Sequence, residues 1–286
     1  IGLELGQALH RLGLGVTGID MLTAIGGLSD PRINEAAIEL IGAEVPLWLG
    51  HAAEVAEAGN RLRVSAGENA VLVDKLLVSM GRRPNTDGLG LEDIGAPLDE
   101  AGRPVFDPGT LQLGDLPIFI AGDATAERMI LHEAGDEGRI AGSNAVRETP
   151  IAYRRKTPLA VTFCDPNIAA VGAPWRELEG RDDVAVGEYD MESQGRAIVM
   201  GRNRGLLRVY GDRTDGRLLG AAMLSARGEH LAHLLAWCIE KEMTVFDVIR
   251  MPCYHPVVEE GLQNAMYALA RNVEAHPEGI PELTPT

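Results

Sequence analysis

The sequence predicts an α/β region followed by an α+β region, and three observations support this. Helices and strands alternate over residues 1–80, a connection rich in glycine and proline follows at 82–117, and from Thr157 several strands precede several helices. Alternating helices and strands are typical of a parallel sheet covered by helices, whereas strands followed by helices are typical of an α+β domain. The predicted domains are 1–81, 82–150 and 157–275, with a loosely attached tail at 276–286.

The pattern of the first region predicts a helix, a glycine break and a strand over 16–20. A second helix has Asp30 as its N-cap and Pro31 at its first position, which suits the free N–H groups of a helix start. A short strand near 45–49 and two or three strands within 61–80 follow. Together they predict an α/β nucleotide-binding unit that lacks its first strand.

The remaining elements follow in the same order as the predicted domains. The apolar segment IFIA, before Gly122, predicts a buried strand that ends in a sharp Gly-Asp turn, and a helix follows at about 131–147. Turn signals such as Asp215-Gly216 separate the later strands. These strands are expected near 159–164, 168–171, 185–191, 205–211 and 217–223, and the helices after them near 228–242, 244–251 and 256–272.

The acidic composition argues against two classes of partner. The formal net charge is −16 and the acidic residues are scattered. Nucleic-acid binding needs a basic face, and an anionic membrane surface also attracts basic segments, so we expect neither partner. No apolar run approaches the roughly 20 residues that span a bilayer.

The cysteines indicate a reducing compartment. Cys164, Cys238 and Cys253 are odd in number and show no C-x-x-C spacing, so we expect neither a disulfide framework nor a metal site. The chain begins at Ile1 with no signal-like segment. We therefore expect a cytoplasmic protein, present here as a fragment.

The segment CYHPVVEEG, residues 253–261, has a structural and a functional interpretation. In the structural one, Pro256 occupies the first position of a helix, and Glu259 and Glu260 follow in the first turns, where the helix dipole favours negative charge. In the functional one, His255 is a catalytic base with an orienting carboxylate. Taken alone, the segment favours the structural interpretation.

Two glycine–aspartate patterns suggest nucleotide contacts. Gly2 would be the last glycine of a G-x-G-x-x-G fingerprint, and Asp20 lies at the distance expected for a ribose ligand, although any βαβ unit can show this pair. Asp123, after Gly122, can bind polyol hydroxyls or cap the following turn, and spacing favours neither. By itself, His132 is more typical of a helix start than of a catalyst.

Four segments, in order, resemble the pyridine nucleotide-disulfide oxidoreductases, the flavoenzyme family that includes dihydrolipoamide dehydrogenase and glutathione reductase. They are IGLELGQALHRLGLGVTGID, VSMGRRPNT, IFIAGDA with HEAGDEGRIAGSNA, and YHPVVEEG. The resemblance implies a Rossmann-like NAD-binding domain, part of an FAD-binding domain and a C-terminal α+β dimerisation domain. It places Gly2 and Asp20 at the NAD site, and it assigns cofactor binding on the FAD side to Gly81, Gly122, Asp123 and His132.

The resemblance also changes the interpretation of the histidine segment. It implies that His255 is the acid/base of thiol chemistry, acting against the redox disulfide of a partner subunit, and that Glu260 orients it. Because His255 precedes a proline it is not helical, so the i,i+4 rule that would favour Glu259 does not apply. The resemblance further implies a cis peptide bond at Pro256.

The implied reaction is that of dihydrolipoamide dehydrogenase, dithiol + NAD⁺ to disulfide + NADH, in an FAD-containing homodimer. The substrate would be a dithiol, such as the lipoyl group of a 2-oxo-acid dehydrogenase complex. Asp20 without following arginines favours NAD over NADP and so argues against glutathione reductase, and a tail without a cysteine pair argues against mercuric reductase.

The chain also departs from the family pattern. It has no C-x-x-x-x-C redox pair and no N-terminal FAD segment, so we expect the chain alone to be inactive. A soluble transhydrogenase, which needs no thiol step, remains an alternative. So does a non-catalytic module that only dimerises or binds a nucleotide.

Overall fold

The computed structural model describes residues 1–284, and the last two residues of the predicted tail lie outside the described part. The chain forms two compact units, residues 1–79 together with residues from 157 onward, and residues 80–156. Within residues 1–284 no helix is both long and apolar enough to cross a membrane.

The first unit contains most of the regular structure. Its helices are α1 (Gly2–Arg11), α2 (Pro31–Gly42), α4 (Trp175–Leu178), α5 (Gly195–Val199), α6 (Gly228–Glu240), α7 (Val245–Ile249) and α8 (Glu260–Ala270). Its strands are β1 (Gly18–Asp20), β2 (Leu47–Leu49), β3 (Glu54–Ala58), β4 (Arg61–Ala66), β5 (Asn69–Val73), β6 (Leu159–Thr162), β7 (Asn167–Gly172), β8 (Val184–Asp190), β9 (Leu206–Asp212) and β10 (Leu218–Ser225).

Within the described residues, the strands form three sheets. Strands β1 and β2 pair in parallel, and β3, β4 and β5 form an antiparallel sheet. The largest sheet is antiparallel, in the order β6-β7-β10-β9-β8. Its strands lie near the predicted ranges, and the helix predicted after a cap at Asp30 begins at Pro31. The predicted strand over 16–20 is shorter and begins at Gly18.

The five-stranded sheet is apolar on both faces because it has protein on both sides. Side chains on opposite faces of a strand alternate along the sequence, so neighbouring residues of β9 and β10 join different cores. One core contains Leu207, Val209, Ala221 and Met223 with helices α6, α7 and α8. The other contains Leu206, Tyr210, Ala222 and Leu224 with helix α2.

The second unit carries little regular structure. It has a 3-10 turn at Gly122–Thr125 and helix α3 (Leu131–Asn144). The strand predicted just before Gly122 is wrong, because Gln112 and Phe119 form only an isolated bridge in the described residues. An apolar run becomes a strand only where further strands accept its backbone hydrogen bonds.

Candidate active site

The loop between α7 and α8 brings His255 and Glu260 together. The imidazole Nδ1 lies 2.7 Å from Glu260 Oε1, and the His255 side chain is 79% exposed. The prediction that α8 begins at Pro256 is wrong, since the helix begins at Glu260 with Glu259 as its N-cap residue. The four residues from His255 to Val258 therefore form a loop, which lets the histidine fold back onto the helix start. The predicted cis bond before Pro256 is confirmed.

The Glu260 carboxylate determines which imidazole nitrogen carries the proton. The hydrogen bond with His255 lowers the pKa of Glu260, as does the one from the Val257 N–H, which lies 3.0 Å from Oε2. An ionised carboxylate only accepts hydrogen bonds, so the neutral His255 ring has its proton on Nδ1. The Nε2 lone pair is then free to take a proton from a substrate.

The Gly122-Asp123 turn is held by an arginine. Gly122 adopts a φ of 70°, a conformation that L side chains rarely accept. Asp123 Oδ2 accepts a 2.5 Å hydrogen bond from Arg82 Nη1, and Arg82 also donates to the carbonyl of Met129. The Asp123 side chain is about half exposed. Its carboxylate thus binds a guanidinium, and Oδ1 accepts no hydrogen bond from the residues that the structure describes.

The buried carboxylate of Glu137 also binds the Gly122-Asp123 turn. Glu137 on α3 is fully buried, and its Oε2 accepts a 2.6 Å hydrogen bond from the Gly122 N–H. Arg155 Nη1 lies 2.8 Å from Glu137 Oε1, and Arg155 Nη2 lies 2.5 Å from Glu133 Oε2. Burial raises the pKa of Glu133, but hydrogen bonds from Arg155 and Arg128 outweigh it and the pKa is lowered. The network therefore places two buried glutamate side chains beside the guanidinium of Arg155.

The remaining predicted cofactor residues occupy separate positions. Helix α1 begins at Gly2, where an added Cβ would lie 2.5 Å from Ser79 Oγ, so a larger residue would displace Ser79. Asp20 ends β1, is exposed, and accepts the Leu22 N–H at 2.9 Å. In the second unit, Gly81 has a φ of 87° and His132 is exposed in the first turn of α3. His132 makes no hydrogen bond to the described residues.

Arg82, Glu137 and Gln194 are three residues near these sites that were not predicted from the sequence. The GRRPNT motif contains Arg82, and an acidic residue in the helix after a Gly-Asp turn could have pointed to Glu137. No sequence signal marks Gln194, whose partner is 63 residues away.

The cysteines form no redox pair. Cys164, Cys238 and Cys253 are free thiols. Burial raises the pKa of Cys164 to about 11. In the described residues, no group of three or more His, Cys, Asp or Glu side chains could hold a metal ion.

Two family models match the chain. The pyridine nucleotide-disulphide oxidoreductase model matches residues 1–138, and the dimerisation domain model of the same oxidoreductases matches residues 159–266. The chain belongs to the pyridine nucleotide-disulphide oxidoreductase family. The fold class predicted from the sequence is thereby confirmed.

Curated relatives agree with this assignment. A dihydrolipoyl dehydrogenase of Thermus scotoductus is 31% identical over 280 residues, which cover 94% of this chain and 60% of that protein. A mercuric reductase of Acidithiobacillus ferrooxidans is 31% identical over 96% of this chain and 50% of its own length. The chain thus spans between half and two thirds of the length of these relatives.

Solved structures show the same fold. The HOCl-induced flavoprotein disulfide reductase RclA of Escherichia coli, solved as a Cu(II) complex, superimposes with a TM-score of 0.81 at 22% identity, covering 93% of this chain and 61% of that one. LpdA of Mycobacterium tuberculosis gives a TM-score of 0.81 at 24% identity, covering 93% and 58%.

Proposed function

We propose that this chain is part of a flavin-dependent, NAD-linked disulfide oxidoreductase. The proposed enzyme catalyses the reaction dithiol + NAD⁺ to disulfide + NADH + H⁺. The observation that carries the proposal is the contact between His255 Nδ1 and Glu260 Oε1. A redox flavoenzyme without thiol chemistry has no need of a base oriented in this way. The curated dihydrolipoyl dehydrogenases among its relatives support the same reaction.

His255 acts as the acid/base of the thiol step. With the proton on Nδ1 held by Glu260, Nε2 takes the proton of a substrate thiol, and the resulting thiolate attacks one sulfur of a disulfide. A mixed disulfide forms, the original S–S bond breaks, and its other sulfur leaves as a thiolate. A positioned base contributes roughly 10² to 10⁴ in rate. The three cysteines are free, so the redox disulfide comes from outside the described residues. In the proposed homodimer of the full-length protein, which the matched dimerisation model supports, the partner subunit supplies it.

The exposed Asp123 carboxylate fits the polyol chain of a flavin. Its Oδ1 is available to a hydroxyl, and Gly122 has no Cβ that would keep a ligand from the backbone of the turn. FAD, when bound, would carry the electron pair between the disulfide and the nicotinamide. Asp123 and Gly122 would hold its ribityl hydroxyls, with Gly81 and His132 in the same unit contributing to the site.

The exposed Asp20 carboxylate supports NAD as the pyridine nucleotide. Its position at the end of β1 suits a hydrogen bond to the 2′-hydroxyl of the adenosine ribose. The residues after it, MLTAIGG, contain no arginine to receive a 2′-phosphate. The lipoyl group of a 2-oxo-acid dehydrogenase complex is the dithiol that we propose as substrate.

Two assays on the FAD-loaded, full-length protein test the proposed function. One measures NADH formed from NAD⁺ and dihydrolipoamide, and the other measures hydride transfer from NADH to a thio analogue of NAD⁺. We expect dithiol-dependent NADH formation. Hydride transfer without dithiol turnover would indicate a transhydrogenase, and neither activity would indicate a non-catalytic module.

The free cysteines also give an expectation for the isolated 286-residue chain. Without a redox disulfide, it should form no NADH from dihydrolipoamide even when FAD is added. A visible absorption spectrum of the same sample shows whether flavin is bound. Dithiol-dependent turnover by this chain alone would contradict the proposed source of the disulfide.

A further inference from the structure

Val257, two residues after the histidine, is held by hydrogen bonds on both sides. Its N–H donates to Glu260 Oε2 at 3.0 Å, and its carbonyl accepts from Gln194 Nε2 at 2.7 Å. Glu260 is the same residue whose other oxygen contacts His255. The peptide units around Val257 therefore connect the histidine loop to both Glu260 and Gln194.

The orientation of the Gln194 side chain is fixed. Gln194 is 2% exposed. Its Oε1 accepts the Ala197 N–H at 2.6 Å, capping α5, while its Nε2 binds the Val257 carbonyl. A flipped amide would place the NH₂ group against a backbone N–H and the oxygen against a carbonyl, so both hydrogen bonds would be lost.

Packing places this side chain against the start of α8. A Cβ added at Gly261 would lie 2.9 Å from Met191 Sδ and 3.5 Å from Gln194 Cγ. Residues 191–194 are thus in close contact with the residue that follows Glu260. A shift of Gln194 would be transmitted to the carboxylate as well as to the loop.

We propose that Gln194 is a positioning residue for His255, acting through the carbonyl of Val257. It fixes the loop so that the imidazole Nδ1 meets Glu260 Oε1 and Nε2 remains free. This inference rests on the proposed function, because His255 is the acid/base only in that proposal. Gln194 touches neither the ring nor a substrate.

The tautomer of His255 is the direct readout, and long-range ¹H–¹⁵N NMR spectra of the 286-residue chain report it without any cofactor. In the wild type we expect the neutral ring to carry its proton on Nδ1. Gln194→Met keeps the volume but removes both hydrogen bonds. Gln194→Glu, studied at a pH where the introduced carboxyl group is ionised, keeps the acceptor for Ala197 and removes the donor to Val257.

Both variants should lower the ratio of the Nδ1–H to the Nε2–H tautomer by about fivefold, the equilibrium equivalent of one hydrogen bond. Asn203→Ala is the matched control, since Asn203 Nδ2 donates to the Glu192 carbonyl at 2.7 Å in the same region without contacting Val257. The control should leave the ratio unchanged. An unchanged ratio in a folded Gln194→Met or Gln194→Glu variant overturns the inference.

Glu260→Gln separates this inference from the proposed function. If Glu260→Gln changes the tautomer ratio and the Gln194 variants do not, Gln194 has only a structural role and the His255–Glu260 pair stands. If the wild-type ring carries its proton on Nε2, the acid/base pair itself is wrong. An effect of Gln194→Met without one of Gln194→Glu would mean that the cap of α5, and not Val257, is responsible, which also overturns the inference.

Discussion

Two adjacent glutamates follow His255, and only one of them contacts it. Glu260 reaches the ring because the residues between them form a loop, whereas Glu259 makes no hydrogen bond through its side chain to the described residues. A helical register would instead have favoured the i,i+4 neighbour, Glu259. Pro256 was therefore the residue in the sequence that pointed away from Glu259, because the residue before a proline is disfavoured in a helix.

Glu260→Gln should lower dithiol turnover in the FAD-loaded, full-length protein by about 10²-fold, because the amide is uncharged and has only one acceptor oxygen for the two donors, His255 Nδ1–H and the Val257 N–H. Steady-state kinetics with dihydrolipoamide measure this. Glu259→Gln is the control and should stay within about twofold of the wild type. Equal losses in the two variants would contradict the assigned pair.

The lowered pKa of Glu260 gives a pH dependence with a definite sign. A carboxyl group whose pKa is lowered by folding stabilises the folded state above its ordinary pKa of 4.5, and this contribution is lost as the pH falls through the lowered value. The difference in Tm between wild type and Glu260→Gln should therefore be constant at neutral pH and shrink below about pH 4.5. A difference that grows in acid would contradict the lowered pKa.

The carboxylate of Asp30 caps helix α2 and also binds two side chains of β9. Asp30 is fully buried, and Oδ1 accepts the Arg32 and Ile33 N–H groups. Tyr210 donates to Oδ2 at 2.5 Å, and Arg208 Nη1 to Oδ1 at 2.9 Å, both from β9. The sequence Asp30-Pro31 predicted the cap. It could not predict the contacts with Arg208 and Tyr210, which lie about 180 residues away in the sequence.

Asp30→Ala should lower the free energy of unfolding by about 3–5 kcal/mol, because it leaves the mostly buried Arg208 without this charge partner. Thr244→Ala, which removes the capping box of α7, should cost only about 1 kcal/mol. Urea unfolding of the two variants measures both values. Similar losses would show that Asp30 acts as a cap alone.

Different interactions stabilise the interiors of the two compact units. The first is built around the apolar faces of the five-stranded sheet. The second, residues 80–156, relies on the buried ionic network of Arg155 with Glu133 and Glu137. A buried charge left without its partner is costly, so this network is a sensitive point of the second unit.

Arg155→Met should lower the stability of residues 80–156 by about 3 kcal/mol or more and leave the core of the five-stranded sheet protected. Hydrogen exchange followed by mass spectrometry resolves the two units, with the Gly122 amide as the most informative probe. Arg139→Met, which breaks only an exposed ion pair with Asp136, is the control and should change little. Equal loss of protection in both units would contradict the assignment of this network to the stability of residues 80–156.

The sequence could predict the helices and strands whose signals are local. It could not predict features that depend on residues far away in the sequence. Alternation and turn residues predicted β6 to β10, and the hairpin at Asp215-Gly216 has the required φ of 77° at the glycine. The segment before Gly122 was predicted as a strand because of its apolar residues, yet only residues 111–113 pair with it in the described chain. Likewise, His255 and Glu260 were found through a motif, whereas Gln194 depends on a contact formed only in the folded chain.

The role of His255 as the base of a thiol reaction can be tested by comparing two reactions of the same protein. Dithiol-dependent NADH formation by the FAD-loaded, full-length protein is measured for wild type and His255→Gln, beside NADH oxidation by an artificial electron acceptor, which needs no thiol base. We expect His255→Gln to lose roughly 10² to 10⁴ in dithiol turnover and to keep the acceptor reaction. Unchanged dithiol turnover in His255→Gln would contradict the claim.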